Sequence, residues 1–367
     1  MAQQEMNRRM FLSRLSLLIA LAGTGKLAKL AEAGTRNSKG KDLSRIESVS
    51  LREIAKKKLH HCSHHFINPF NDLEYGSIWR LLKWKVFGTN HFKELYNNEK
   101  VTPVSLDLRD LGKPGDISVT FIKHSTVFIN YLGTRIIVDP LFFGLFPFIK
   151  DFTPLQFSIS DIPKPDIILI THGHYDHLDI PSMEKLPNDS TVVAPLGYNT
   201  LLKEAGFNRI VSLDWFETYS LGEIDITLLP CNHWTMRNLL AGPNRALWGS
   251  FLVRSASASP SIFISGDTGY FRGFKEIGND FDIDLAIINL GAYEPRWFMA
   301  QSHLNPSEAG RAFLDLRAKR LMVVHWGTFR LGDEPVYLPP IKIAEEMEKL
   351  GSAERLVRIR HGETYHL

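Results

Sequence analysis

The stretch ILITHGHYDHLDI, residues 168–180, does most to limit how this chain can fold. An apolar run stops at Thr171, and His172, His174, Asp176 and His177 then crowd onto one turn. Residues two apart in an extended turn aim one way, so His172, His174 and Asp176 face one small region. Asp176 and His177 are neighbours, and their side chains are expected to diverge. That suits two adjacent ions better than one. A single loop cannot close either site, so other strand ends must be carried to the same place.

Later segments offer the missing groups. His233 follows ITLLPCN, Asp267 follows SIFISG and His325 follows RLMVV, each a ligand type directly after an apolar run. Seven residues and a bridging hydroxide supply two ions with four or five ligands each, a set that suits zinc. Two metals ~3.5–4 Å apart activate a shared water and hold a phosphoryl oxygen. Around these groups the chain reads as many short strands. ISVTFIKHSTVFINYLGTRIIVDP gives three, with turns at His124-Ser125 and Leu132-Gly133-Thr134, and DIILITH, STVVAPLG, RIVSLD, IDITLLP, WGSFLVRS, SIFISGD, LAIINLG and RLMVVHWG add more. Helical patterns in NPSEAGRAFLDLRAKR and PPIKIAEEMEKLG intersperse them. The expected architecture is a sheet sandwich with helices outside.

The N-terminal third is different. NRRMFLSRL, an apolar SLLIALAG and Ala31-Glu32-Ala33 read as a twin-arginine export signal over residues 1–33, with Arg8 and Arg9 as the pair. The apolar run is too short to span a bilayer. The expected location is therefore exported, periplasmic or membrane-associated, and cytoplasmic if the leader is not a signal. These 33 residues hold five Lys or Arg against two Glu, which is the whole +3 excess of the chain. The remainder is near neutral, so bulk charge gives a nucleic acid partner no support. Residues 34–100 read as a linker and helical extension, with the lysine-rich 34–58 passing into a short exposed helix; 101–367 read as the hydrolase domain. His60, His61, His64 and His65 surround Cys62 in LHHCSHHFINPF, where packing and hydrogen bonding are the expected roles. Trp79, Leu82, Val86 and Phe87 have helical spacing and are expected to pack on the domain. LFFGLFPFI, residues 141–149, is apolar without period and is expected to form a lip that dips into a bilayer.

The HxHxDH loop followed by His, Asp and His resembles the metallo-β-lactamase fold superfamily. GAYEPRWFM (291–299), WGSF (248–251), SGDTGY (265–270), HWGTF (325–329) and the ending HGETYHL resemble, more narrowly, the N-acylphosphatidylethanolamine-hydrolysing phospholipase D family. The likeness runs from about residue 60 to the C-terminus. It implies an α+β fold, a four-layer αββα sandwich. It implies two zinc ions, with iron or manganese as substitutes: one held by His172, His174 and His233, the other by Asp176, His177 and His325, with Asp267 bridging. It implies catalytic roles for Asp176 and His303, and substrate contacts from Tyr175 and His303. The implied reaction is hydrolysis of a phospholipid phosphodiester to N-acylethanolamine and phosphatidic acid by the bridging hydroxide, at a membrane surface, with oligomerisation left open. The rival expectations are a small ester or lactone hydrolase, or a nuclease, of the same fold. The paired HxKx₄D motif of phospholipases D that use a histidine nucleophile is absent; His91-Phe92-Lys93 comes nearest, with Asn98 where the Asp would stand.

Overall fold

The computed structural model describes residues 48–71, 77–109, 111, 116–238, 240–255 and 259–367. The leader, its Arg8-Arg9 pair and most of the linker lie outside the described residues. Two mixed sheets stack face to face. The first runs β14-β1-β2-β3-β4-β5-β6, the second β13-β12-β11-β10-β9-β8-β7. The first comprises β1 (Ile117–Lys123), β2 (Thr126–Tyr131), β3 (Thr134–Val138), β4 (Ile167–Leu169), β5 (Thr191–Pro195), β6 (Ile210–Leu213) and β14 (Thr364–His366). The second comprises β7 (Thr218–Leu221), β8 (Ile224–Leu229), β9 (Ser250–Ser255), β10 (Ile262–Ile264), β11 (Leu285–Asn289), β12 (Arg320–Val324) and β13 (Leu356–Val357).

Side chains alternate between the two faces of each strand, and in inner strands such as β2, β4 and β11 both faces are buried. In β2, Val127, Ile129 and Tyr131 enter the core between the sheets, while Phe128 joins the outer core of the first sheet. In β11, Leu285 and Ile287 point to the centre and Ala286 and Ile288 outward. The outer layers are helical. α3 (Ile180–Met183) and α4 (Asn199–Glu204) cover the first sheet through Met183 and Leu202. α5 (Gly273–Asp280), α7 (Pro306–Asp315) and α8 (Leu338–Lys349) cover the second through Phe274, Phe313 and Ile343. The result is the expected four-layer αββα sandwich. The NPSEAG signal is the start of α7: Asn305 caps it, Pro306 opens it, and Glu308 closes a capping box.

Three expectations need correction. α1 (Leu51–Lys56) is amphipathic rather than exposed, because Leu51 and Ile54 are buried in the cores of the main sandwich. α2 (Ile78–Leu82) and the π-helical turn Lys83–Phe87 after it do form, but Trp79, Val86 and Phe87 face outward. The residue that packs is Trp84, against Ala292, Met299 and Phe298. In 141–149, Leu141 and Phe142 are core residues, and among its large apolar side chains Phe148 is the one that is mostly exposed. The His-rich tract packs as expected. His60, His61 and Lys58 all reach the Asp214 carboxylate, at 2.7, 2.8 and 2.5 Å, and the His60 ring stacks on Trp215.

Candidate metal centre

Both sheets deliver polar groups to one end of the sandwich. β4 ends at Leu169, and Thr171 is pinned by Asp139, which follows β3 and accepts from the Thr171 N–H (2.8 Å) and hydroxyl (2.6 Å). Next comes Gly173, where a Cβ would lie 2.7 Å from the Tyr198 ring and 2.9 Å from Thr235 Oγ1, so no larger residue passes. The loop then curls: the N–H groups of His177 and Leu178 both donate to the His174 carbonyl. Arg237 Nη1 donates to the carbonyls of Gly173 (3.1 Å) and Leu178 (2.6 Å), stapling both ends of the loop. Tyr175 stands outside, its ring beneath the Arg237 guanidinium and its hydroxyl donating to the Arg237 carbonyl.

His172 Nε2 and His233 Nε2 approach His174 Nδ1 to 3.0 and 3.2 Å. Beside this trio, Asp176, His177 and His325 gather with His124 in a second cluster. Asp267, just past β10, lies between the two. Its Oδ2 is 3.2 Å from His177 Nε2 and 4.0 Å from His233 Nε2, and its Oδ1 is 3.3 Å from His325 Nε2. His303 Nδ1 is 3.7 Å from Asp267 Oδ2. The seven candidate ligands and His303 are therefore at this one place, while Tyr175 lies outside it. The expected divergence of Asp176 and His177 is not seen. The curl of the loop brings Asp176 Oδ2 back to 3.7 Å from His177 Nε2.

The donor set fits divalent metal ions. Nitrogens and carboxylate oxygens converge, and the Nε2 atoms of His177 and His325 are buried without a well-formed hydrogen bond. The outward nitrogens are held as metal-binding imidazoles usually are. His233 Nδ1 donates to the Ser302 carbonyl, and His177 Nδ1 to Asp139. Burial, the largest influence, holds His172 and His233 well below the usual histidine range and His174 at about 4, which leaves their lone pairs free. Burial raises Asp176 and Asp267, but the surrounding imidazoles outweigh it and keep both well below the usual carboxylate range.

Four contributors escape the sequence reading. Asp139 follows a strand as Asp267 does, so its position was a readable signal. Asn289, whose Nδ2 donates to Asp267 Oδ1 at 2.9 Å, and Arg237 carried no such signal. His124 sits in the β1–β2 turn. Its Nε2 is 3.1 Å from Asp176 Oδ2, and its ring centroid is 3.9 Å from that of His325. Its carbonyl accepts from the His325 N–H at 2.7 Å.

Comparison with known proteins agrees with this geometry. The sequence profile of the Beta-lactamase superfamily domain matches residues 134–326. N-acyl-phosphatidylethanolamine-hydrolyzing phospholipase D 1 of Caenorhabditis elegans is 30% identical over 302 residues, covering 75% of this chain and 84% of that protein. The chain belongs to the N-acyl-phosphatidylethanolamine-hydrolysing phospholipase D family of the beta-lactamase superfamily. The mitochondrial enzyme of that name from Saccharomyces cerevisiae is 35% identical over 247 residues, and the match spans about half (52%) of its length. Among solved structures, isothiocyanate hydrolase from Delia radicum gut bacteria superposes with a TM-score of 0.57 at 18% identity, over 68% of this chain and 98% of that one. A Veillonella parvula protein described as a possible metal-dependent hydrolase gives 0.56 at 18% identity, over 69% and 100%. At that identity the likeness is one of fold. The family member described here is a metal-dependent hydrolase.

Proposed function

We propose that the chain is a dinuclear zinc phosphodiesterase that cleaves N-acylated phosphatidylethanolamine to N-acylethanolamine and phosphatidic acid. One observation carries the reading: Asp267 lies between a three-histidine cluster and an Asp-His-His cluster, where a carboxylate can serve two ions at once. In this assignment His172, His174 and His233 would hold one ion, Asp176, His177 and His325 would hold the other, and Asp267 would serve both. When bound, the ions would supply Lewis acidity and lower the pKa of a water between them. The remaining work falls to the chain. Asp139 and Asn289 fix the orientation of His177 and Asp267. His303, beside Asp267 but outside the ligand set, donates a ring N–H toward the phosphate. Tyr175, on the rim, contacts the substrate.

The test is metal analysis followed by hydrolysis of three substrates: a micellar N-acyl phospholipid, a lactone and an RNA. The expected result is two ions per chain, turnover of the phospholipid and loss of turnover on chelation. Full activity without metal would refute the mechanism, and preference for the lactone or RNA would replace the substrate. We further propose that Arg8-Arg9 directs export of the folded chain. Unchanged fractionation of an Arg8→Lys, Arg9→Lys double variant would remove that proposal.

A further inference from the structure

We propose that α2, the π-helical turn after it and α6 (Arg296–Met299) form a docking surface for a lipid bilayer that carries anionic lipid. The inner stripe of this element is anchored. Trp84 is 5% exposed, its Nε1 donates to the Asp333 carboxylate at 3.1 Å, and its ring lies 5.0 Å from that of Phe298. Arg80, one turn earlier, donates to the Trp297 carbonyl. The neighbouring stripe repeats at four-residue steps, Trp79, Lys83 and Phe87, and among the described residues its two aromatic rings are mostly exposed. Trp79 is 75% exposed, Val86 64% and Phe87 81%, and Trp297 of α6 adds to them at 47%. Scattered exposed apolar residues need no explanation, but a rigidly seated group of this size does.

Charge selects the occupant. Between residues 77 and 93 the chain has Arg80, Lys83, Lys85 and Lys93 and no Asp or Glu. Lys83 and Lys85 have no ion pair among the described residues; their ammonium groups lie 5.4 Å from the Trp297 ring and 3.5 Å from the Trp84 ring. Aromatic rings interleaved with lysines match the boundary between headgroups and acyl chains of an anionic leaflet. The position matters too. α6 leads into the candidate site: the His303 N–H donates to the Met299 carbonyl, and Arg296 Nη1 donates to the His303 carbonyl at 3.0 Å. A bilayer seated on the ridge would lie beside the metal centre. The inference deepens the lipid-hydrolase reading by naming where the chain meets its substrate.

The experiment uses the full chain and substrate-free vesicles of phosphatidylcholine, alone or mixed with phosphatidylglycerol, with cosedimentation as the readout. Expected are binding to the mixed vesicles that salt weakens, and at least ~10-fold weaker binding by the Trp79→Ser, Phe87→Ser double variant. Lys83→Glu should weaken binding to the mixed vesicles alone. Melting temperature and hydrolysis of a short-chain soluble substrate should stay as in the parent. Equal vesicle binding by parent and double variant overturns the proposal. So does a dimer of the parent that the double variant disperses, because the ridge would then be an interface between copies. Vesicle binding without turnover of any phospholipid supports the surface and refutes the substrate reading, so the two failures are distinguishable.

Discussion

At the scale of single residues, the candidate donors that converge on the site were legible because metal chemistry admits few side chains and places them at strand ends. Their supports were not, since an Asn or a turn His that holds a ligand looks like any other polar residue. Two residues outside the assigned ligand set show what is at stake. Burial, the largest influence, holds His303 at about 4, so its ring is neutral across about pH 6–8. This favours hydrogen-bond donation over proton transfer. His303→Ala should keep both metals and the melting temperature, yet lower kcat/KM on the phospholipid by ~10²-fold or more, with a pH profile parallel to the parent's. Lost metal would make His303 a ligand instead. His124 should act differently. Donating to Asp176 and packed on His325, it orients two of the groups assigned to the second ion. His124→Ala should weaken binding of one ion ~10–100-fold in a metal titration and spare the other; equal loss of both, or of neither, contradicts that role.

At the scale of elements, the sequence reading succeeded where strands are buried on both faces and bounded by turns. β1, β2 and β3 fall where the ISVTFIK, STVFINY and TRIIVD runs and their two turns put them. It missed β7, β13 and β14, which are short edge strands. β7 is largely exposed, so hydrophobic pattern says little about it. α2 was found, but the face it buries was not: helical spacing identifies a stripe, whereas burial of Trp84 depends on α6 and Asp333, more than 200 residues away. The loop after β11 shows how tightly such elements are joined. A Cβ at Gly291 would lie 2.4 Å from the His325 carbonyl oxygen and 3.0 Å from His325 Nδ1. Gly291→Ala should therefore push His325 out of place. The expected outcome is a destabilisation of ~1–3 kcal/mol in denaturant unfolding with sub-stoichiometric metal. Parent-like stability with a full complement of metal would mean that the two strand ends separate freely.

At the scale of the whole molecule, the site is a joint between two halves. The loop after β4 brings His172, His174, Asp176 and His177 from the first sheet. His233, Asp267 and His325 come from the ends of β8, β10 and β12 in the second. Order along the chain hinted at this, because the candidates sit after separate apolar runs, but which sheet each run joins is a long-range fact that spacing does not encode. The consequence is thermodynamic. Unfolding separates the sheets and scatters the donors, so ions that bind the folded chain stabilise it by mass action, by ~2.7 kcal/mol per site when free metal is at 100 times its dissociation constant. Without metal, buried imidazoles and two carboxylates face one another across the joint instead of an ion. Chelation should thus lower the melting temperature by several degrees, through one cooperative transition, and readdition of zinc should restore it. The apolar cores on both sides of each sheet remain in the metal-free chain, so it should stay folded at room temperature. A melting temperature indifferent to chelation in protein shown to have lost its metal would mean that the centre is preorganised by the sandwich alone, and that the ions serve chemistry without tying the halves together.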